Sequence, residues 1–355
     1  MSTNSRSRPR FLPLALAYIL IVGVLAVALL TWFKPGDAPA NAPAALPETA
    51  SATVVPSLPV PTETPIPFGP PADASLAPTG TFTPPPFLTE TPTSEAPVVF
   101  AVIGDFGSGN QRAGDVAELV KSWQPDFIIT TGDNNYPSGS RETIDAAIGQ
   151  FYHEYISSYT GDYGPGAEQN RFFPVLGNHD WMTDRARPYL DYFSLPGNEL
   201  YYEFTWGPLH FFALDGDPNN PDGVGSKSAQ AEWLRGALAA STAPWKIVYV
   251  HQPPYSSGMH GSVEWMRWPF AEWGATAVLA GHDHTYERLS IDGLPYFVNG
   301  LGGGAIYGFN NVLDGSQVRY NDDYGAMRVT GSSNSLRFEF ITRGGELIDD
   351  YEVLR

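Results

Sequence analysis

One pattern occurs five times in this chain: a short apolar run that ends directly at a block of polar residues. The five blocks are Gly-Asp-Phe-Gly at 104–107, Gly-Asp-Asn-Asn-Tyr at 132–136, Gly-Asn-His-Asp at 177–180, Val-Tyr-Val-His at 248–251 and Gly-His-Asp-His at 281–284. Short apolar runs bounded by glycine predict buried strands. The pattern therefore predicts at least five strands, each of which delivers polar side chains at its carboxyl end.

Helical patterns separate these strands. They cover roughly residues 112–123, 141–156, 228–240 and 263–273. Strands that alternate with helices predict βαβ units, a largely parallel central sheet and the α/β class. Because binding sites in such sheets form at the carboxyl ends of the strands, we expect the five blocks to converge.

The last part of the chain has a different pattern. Residues 325–331, 335–342 and 346–353 alternate between apolar and polar side chains, with a turn at Gly344-Gly345. Such alternation is typical of antiparallel strands with one buried face. It predicts a second sheet that packs on the first.

The five blocks concentrate side chains that bind metal ions: carboxylates, an amide, a phenol and imidazoles. Oxygen and imidazole ligands suit iron, zinc and manganese. Each block alone is weak, since a Gly-Asp pair after a strand is commonly a turn and a Gly-Asn-His is commonly a loop. The ordered set of five predicts two adjacent metal ions, an arrangement that hydrolyses phosphate esters. Glycines before these ligands would let the backbone turn sharply beside the ions.

Composition narrows the function classes. The formal net charge is −18 and the chain has no cysteine. So acidic a chain is a poor candidate for nucleic-acid binding, which needs Lys and Arg on one face. An acidic surface also repels anionic substrates unless metal ions reverse the field locally. The absence of cysteine excludes disulfides and thiolate metal ligands.

Residues 11–33 form an uninterrupted apolar run without a charge. As a helix, this run would span about 34 Å, enough to cross a bilayer. Arg6, Arg8 and Arg10 precede it and favour a cytoplasmic basic N-terminus at residues 1–10. We expect a transmembrane signal anchor. A cleaved signal peptide, with a weak site at 38–40, is the alternative. Either case predicts an exported catalytic domain.

Residues 34–97 hold 17 of the chain's 33 prolines, and Ala, Thr and Ser fill most of the gaps. Such a segment buries too little apolar surface to offset the entropy of ordering. It predicts a disordered stalk that holds a catalytic domain, residues 98–355, away from the membrane.

The five blocks together resemble the calcineurin-like metallophosphoesterases, and the resemblance covers essentially all of residues 98–355. Tyr136, which follows the second Gly-Asp, is typical of the purple acid phosphatase subgroup. The resemblance implies a four-layer sandwich in which two central mixed β-sheets are flanked by helices. The alternative role for Tyr136 is a packed turn residue, because Tyr-Pro-Ser-Gly also has turn character.

The resemblance also implies the ligands of two metal ions. An Fe(III) ion would be held by Asp105, Asp133, Tyr136 and His284. A second, divalent ion of iron, zinc or manganese would be held by Asp133, Asn178, His251 and His282. Asp133 would thus bridge the two ions.

Two further histidines would lie beside the substrate by the same resemblance. His179 belongs to the Gly-Asn-His-Asp block, and His260 lies nine residues after His251. Larger members of the subgroup carry another histidine after the second of these, where this chain has Gly261, which fits the small, tartrate-resistant type better. The alternative for His260 is a surface loop residue. His153 and His210 lie in helical and strand patterns, and we expect ordinary structural roles for them.

The predicted activity is that of an acid phosphatase, which hydrolyses phosphate monoesters by attack of a metal-bound hydroxide. The two ions would neutralise the charge of the transition state, and His179 or His260 would protonate the leaving alkoxide. A phosphodiesterase or nucleotide pyrophosphatase on the same scaffold is one alternative. A non-catalytic binding module on a stalk is another. The expected partners are a small phosphate ester and, through residues 11–33, a membrane. The sequence does not indicate the oligomeric state.

Two other stretches have weaker implications. Gly302-Gly303-Gly304 is not followed by Lys-Ser/Thr, so it predicts a tight turn near the site rather than a phosphate-binding loop. The tryptophan-rich residues 265–273 favour aromatic core packing over a substrate pocket.

Overall fold

The computed structural model describes residues 96–355. The basic N-terminus (1–10), the anchor (11–33) and nearly all of the stalk (34–97) that the sequence predicts lie outside the described residues. Within residues 96–355, no helix combines the length and the apolar character needed to cross a membrane.

Two mixed β-sheets form the centre of the described part. The first sheet has the order β13-β12-β11-β1-β2-β3 and the second has the order β10-β8-β9-β7-β6-β5-β4. The strands are β1 Val98–Ile103, β2 Phe127–Thr130, β3 Phe172–Pro174, β4 Tyr202–Trp206, β5 Leu209–Ala213, β6 Trp245–Tyr249, β7 Ala277–Ala280, β8 Tyr286–Ile291, β9 Leu294–Asn299, β10 Ser316–Tyr320, β11 Gly325–Gly331, β12 Ser335–Thr342 and β13 Leu347–Leu354.

The helices connect these strands. They are α1 Gln111–Ser122, α2 Arg141–Ile144, α3 Gln150–Tyr152, α4 Asn178–Trp181, α5 Arg187–Tyr192 and α6 Ala229–Ala240. The two long helices, α1 and α6, begin at side-chain caps: Asn110 accepts from the amides of Arg112 and Ala113, and Ser228 accepts from that of Ala231. Such caps satisfy backbone donors that have no partner inside the helix.

Three apolar clusters divide the fold into layers. The largest joins the facing sides of the two sheets, for example Phe100 and Phe127 of the first with Phe211 of the second. A second cluster packs α1 and the 144–156 region against the first sheet. A third packs α6 against the second sheet. The order helix, sheet, sheet, helix confirms the predicted four-layer α/β sandwich, because each sheet is apolar on both faces and both faces must be covered.

The structure corrects the pattern-based view of the sheets. The pattern predicts one largely parallel sheet, but the parallel strands are split: β1, β2 and β3 pair in the first sheet, and β5, β6, β7 and β9 pair in the second. The strands β11, β12 and β13 do not form the second sheet. They extend the first sheet, because β11 pairs antiparallel with β1. Local alternation predicts the strands but not their pairing partners.

Three of the four helical predictions match the structure and one is wrong. Residues 141–155 are helical but contain a π-helical turn at Asp145–Gly149. Residues 263–273 form only a short 3-10 turn at Glu264–Met266, followed by further turns. Pro269 explains this, because proline lacks a backbone donor and excludes its predecessor from helical geometry.

The division of the parallel strands decides where the polar blocks meet. The blocks at 104, 132 and 177 follow β1, β2 and β3 of the first sheet, and those at 251 and 281 follow β6 and β7 of the second. The carboxyl ends of both sets lie on one edge of the sandwich. Polar residues from both sheets therefore face each other there.

Candidate functional site

The first ligand candidates leave their strands through strained backbone. Asp105, Asp133 and His282 each follow a glycine and have φ values of 55°, 53° and 71°. Positive φ is uncommon for residues with a Cβ and persists where the surroundings impose it, commonly at functional sites. Three of the five blocks thus share this backbone geometry at a candidate ligand.

Two glycines are required by close approach. A Cβ on Gly132, whose φ is +91°, would lie 2.7 Å from Nδ1 of His251. A Cβ on Gly304 would lie 2.7 Å from Cε1 of His284. The predicted tight turn at 302–304 thus packs directly beneath a candidate ligand.

Asp105, Tyr136 and His284 lie together, and we call them the tyrosine group. The Tyr136 hydroxyl lies 3.3 Å from Oδ1 of Asp105 and 3.0 Å from Nε2 of His284. The same His284 nitrogen lies 3.3 Å from Oδ1 of Asp105. The ring of Tyr136 is thus directed inward rather than packed as an ordinary turn residue.

Asn178, His251 and His282 lie together, and we call them the asparagine group. Nε2 of His251 lies 3.0 Å from Oδ1 of Asn178 and 3.2 Å from Nδ1 of His282. His282 and His284, two residues apart, therefore reach different groups.

Asp133 lies between the two groups. Its Oδ1 is 3.5 Å from Nε2 of His251, and its charge acts on the hydroxyl of Tyr136. Asp105, Asp133 and His251 offer ligand atoms that all lie within 4.8 Å of one another, which is compatible with one shared ion environment.

The donor chemistry of these residues fits metal ions. Nδ1 of His251 lies 2.8 Å from the carbonyl of Thr131, and Nδ1 of His284 lies 2.5 Å from the carbonyl of Ala305. A carbonyl only accepts, so each of these nitrogens carries a proton and, in the neutral ring, each Nε2 keeps a lone pair. Metal-binding histidines are oriented in this way. In the neutral ring, the lone pair of His251 faces the acceptor Oδ1 of Asn178, a contact that a cation would satisfy.

The electrostatics of the site favour added positive charge. Burial lowers the pKa of His251 and of His284, but Asp133 and Asp105 outweigh it, so both pKa values are raised. Burial and then the charges of Asp105 and Asp133 raise the pKa of Tyr136 well above its usual range. Burial and the neighbouring histidines lower the pKa of His282 to about 2, so its ring is neutral.

His179 lies at the mouth of the site. Its amide donates to Oδ1 of Asp133 at 3.0 Å, and its ring lies 4.7 Å from that of Tyr136 between centroids. Its Nδ1 lies 2.6 Å from the carbonyl of Pro137, so Nδ1 carries the proton and Nε2 faces the site, 3.9 Å from Oδ2 of Asp133.

His260 also lies at the site rather than on a remote surface loop. Its ring centroid is 4.5 Å from that of His282 and 5.3 Å from that of Tyr307. The structure thus brings together all nine residues that the sequence singles out. His153, bonded to the carbonyl of Pro165, and His210, beside Glu203 and Ser241, lie outside this group, as predicted.

Several residues that support the site were not identified from the sequence. Asn134 donates to Oδ2 of Asp180 through its amide and its side chain, and Asp180 also accepts from the amide of Gly177. Burial and then Asp133 raise the pKa of Asp180 to about 7. Tyr307 stacks on His284 at 4.1 Å. Asn134 and Asp180 lie inside the motif blocks, so their polar character was the available indication.

The tryptophan-rich stretch contributes mainly to the core. Trp268 is buried in the third apolar cluster, and Trp273 packs against it. Trp265 is half exposed and donates to the carbonyl of Gly216, beside the strand end of β5. The expectation of core packing thus holds for most of this stretch.

Comparison with known proteins gives the class. The family model described as calcineurin-like phosphoesterase matches residues 98–286, more than half of the chain. The chain belongs to this family.

The curated relatives define the subgroup that the chain resembles. Purple acid phosphatase 22 of Arabidopsis thaliana is 29% identical over 217 residues, covering 58% of this chain and 48% of that protein. Human tartrate-resistant acid phosphatase type 5 is 25% identical over 242 residues, covering 57% of this chain and 72% of that protein. The chain spans about half the length of the first of these. The predicted resemblance to purple acid phosphatases is confirmed.

Solved structures support the fold. A purple acid phosphatase from yellow lupin (Lupinus luteus) seeds has a TM-score of 0.59 at 18% identity, covering 74% of this chain and 54% of that one. GAP50, the anchor in the inner membrane complex of Plasmodium, has a TM-score of 0.56 at 19% identity, covering 73% and 89%. At these identities the likeness shows a shared fold.

Proposed function

We propose that the chain is a two-metal phosphatase that hydrolyses phosphate monoesters, similar to an acid phosphatase. The observation that carries the proposal is the arrangement of the tyrosine group and the asparagine group on either side of Asp133. Two adjacent ions are suited to phosphoryl transfer, because they hold the attacking and leaving oxygens together. Family membership and the purple acid phosphatase relatives support the same reaction class.

The two groups differ in the ion that they suit. The tyrosine group, with Asp133, offers two carboxylates, a phenol and an imidazole, and we assign it Fe(III). The asparagine group, with Asp133, offers one carboxylate, an amide and two imidazoles, and we assign it a divalent ion of iron, zinc or manganese. When bound, the ions would neutralise phosphate charge and lower the pKa of coordinated water.

The protein's own groups would bind and orient the ester. The ring of His179 lies beside that of Tyr136, and the ring of His260 lies beside that of His282. From there one of them would hold a phosphate oxygen and one would deliver a proton to the leaving alkoxide. The orientation of His179 by Pro137 leaves its Nε2 available for such a contact.

Metal analysis with one visible spectrum and a phosphatase assay tests this proposal. We expect about two metal ions per chain, a visible band from phenolate bound to iron, and turnover of phenyl phosphate. A colourless protein that is fully active with zinc or manganese would overturn the iron assignment and keep the phosphatase. A protein without metal and without esterase activity would instead support the stalked binding module.

Matched substrates decide between monoester and diester hydrolysis. The phosphodiesterase or nucleotide pyrophosphatase alternative predicts a higher kcat/KM for bis(4-nitrophenyl) phosphate or a dinucleotide than for 4-nitrophenyl phosphate. The proposed monoesterase predicts the reverse. The leaving group is the same in the two nitrophenyl esters, so the comparison isolates the number of ester bonds.

We also propose that residues 98–355 lie outside the cytoplasm, held by the apolar run 11–33 and the proline-rich stalk 34–97. The support is the sequence: a charge-free run long enough for a bilayer, preceded by Arg6, Arg8 and Arg10. Protease added to intact cells that express the full chain should release the catalytic domain by cutting in the stalk. Protection until the cells are lysed would overturn the proposal.

A further inference from the structure

The loop that carries His260 is built around a buried carboxylate that belongs to neither the tyrosine group nor the asparagine group. Asp283 lies between His282 of the asparagine group and His284 of the tyrosine group. It is fully buried. While its two neighbours face the ligand cluster, the Asp283 carboxylate contacts the loop at residues 256–261.

Three hydrogen bonds tie this loop to Asp283. Oδ1 accepts from the amide of His260 at 2.7 Å, and Oδ2 accepts from the amide of Gly261 at 3.1 Å and from the hydroxyl of Ser256 at 2.6 Å. The Ser256 hydroxyl in turn accepts from the amide of Gly258 at 2.9 Å. Hydrogen bonds to an ionised acceptor are stronger than those between neutral groups. Gly258 packs so closely that a Cβ there would collide with the Asp283 carboxyl.

A second buried carboxylate holds the same loop at a different point. Glu287 accepts from the amide of Ser257 at 2.7 Å and from its hydroxyl at 2.6 Å, and also from the hydroxyl of Ser316. None of these bonds reaches His260. Both carboxylates therefore anchor the loop, but only Asp283 accepts a hydrogen bond from the backbone of His260.

The position of the His260 ring follows from this attachment. The amide bond to Asp283 holds the His260 backbone against the 282–284 segment, and the ring lies 4.5 Å from that of His282. The backbone of His282 has a φ of 71°, and the Asp283 side chain that follows it faces the loop. One short segment thus carries a histidine to each ligand group and, between them, the anchor for a substrate-side histidine.

We propose that Asp283 is a positioning residue that acts through His260: it sets the distance of the His260 ring from the ligand cluster. This proposal rests on the proposed phosphatase function, in which His260 contacts the ester. Replacement of Asp283 by asparagine keeps the size of the side chain but removes its charge and one acceptor. The His260 amide or the Gly261 amide then loses a partner, and the ring is held less firmly.

A double-mutant cycle in the full-length protein tests the route of action. We expect Asp283→Asn to lower kcat/KM for phenyl phosphate by roughly 10- to 100-fold, the range for groups that orient a site residue. In a His260→Ala background, the same substitution should change kcat/KM by less than about twofold, because the residue through which Asp283 acts is gone. An equal loss in both backgrounds would overturn the proposal.

Glu287→Gln is the matched control, since it weakens the same loop without touching His260. Its effect on kcat/KM, whatever its size, should be the same in the wild-type and His260→Ala backgrounds. A cycle for Glu287 as strongly coupled as that for Asp283 would show that general loop stability, not positioning of His260, explains both. Ser256→Ala removes one of the three bonds and gives a milder variant should Asp283→Asn fail to fold.

Amide hydrogen exchange gives a measurement that does not require activity. In Asp283→Asn or Ser256→Ala protein, the amides of His260 and Gly261 should exchange faster, whereas the Ser257 amide, held by Glu287, should not change. Unchanged exchange at His260 and Gly261 would overturn the positioning role. If the wild-type protein cleaves no phosphate ester, the proposed function fails, and the exchange data still decide whether Asp283 holds His260.

Discussion

The tyrosine group and the asparagine group are built from similar parts but differ in charge. Both include residues from the first sheet and from the loop after β7, and both border Asp133. The tyrosine group adds a carboxylate and an ionisable phenol, whereas the asparagine group adds an amide and a second imidazole. A cation in the tyrosine group would meet more negative charge. Under the proposed assignment, two or three side chains would thus be enough to direct ions of different charge to adjacent positions in one cleft.

Replacement of Asp133 should have the largest effect on activity, because its carboxylate lies between the two groups. We expect Asp133→Ala to lower phosphatase activity by more than about 100-fold, above the range for outer-shell residues, and to reduce the content of both metals. Metal analysis and kcat/KM measure this. Glu232→Gln, on the exposed face of α6, is the control. Loss of only one metal would break the view that Asp133 serves both groups.

Single substitutions should separate the two groups. Tyr136→Phe should abolish the visible band and lower activity by roughly 10- to 100-fold, because the phenol oxygen of the tyrosine group is lost. Asn178→Ala should keep the band and lose the divalent ion instead. The visible spectrum and the metal content of each variant provide the measurement. If both variants lose the same metal, the assignment of separate ions is wrong.

Two glycine substitutions disturb one group each by crowding a histidine, without removing any candidate ligand. Gly304→Ala places a Cβ against His284, and Gly132→Ala places one against His251. We expect a shift or weakening of the visible band in the first variant and loss of the divalent ion in the second, with activity reduced about 10-fold. Gly236→Ala, in α6 with open space around it, should change neither.

Beneath the asparagine group we expect an effect of pH on stability. Trp181, on the same helix as Asn178, donates to Oδ1 of Asp215, and burial raises the pKa of Asp215 to about 8. Because this pKa exceeds the usual value of 3.8, the proton stabilises the fold at low pH, and that stability is lost as pH rises from about 4 to about 8.

Thermal unfolding of metal-free protein measures this loss. Relative to Asp215→Asn, the wild type should lose on the order of 1.4 kcal/mol per pH unit in this range. Asp350→Asn is an opposite-sign control: hydrogen bonding to Arg337 lowers the pKa of Asp350, so its small contribution is lost as pH falls. A pH-independent difference between the wild type and Asp215→Asn would show that Asp215 is ionised in the fold.

Much of the site was predictable from the sequence because each block is local. A buried strand followed by glycine and a polar residue places that residue at a strand end, and all nine chosen residues lie at one edge of the sandwich. The supporting residues were harder to identify. Asp283 and Glu287 are close to His284 in the sequence, but their hydrogen-bond partners lie in a loop more than twenty residues earlier in the chain.

The limits of local pattern are clearest in the sheets and in one helix. Alternation at 325–331 predicts a strand. It does not predict that this strand pairs with β1, because the two segments lie far apart in the sequence. The spacing of apolar residues at 263–273 is that of a helix, but Pro269 prevents the helix from forming. Trp268 and Trp273 pack into the core from turns instead.

The class of fold, the ends of the strands and the identity of the candidate ligands follow from the sequence alone, because hydrophobic period, glycine and side-chain chemistry act over a few residues. The division of the parallel strands between two sheets and the arrangement of the candidate ligands in two groups around Asp133 became visible in the folded structure, as did the attachment of His260 to Asp283. These features depend on contacts between segments that are distant in the sequence. Such contacts form, and stabilise the fold, only when the two sheets pack face to face.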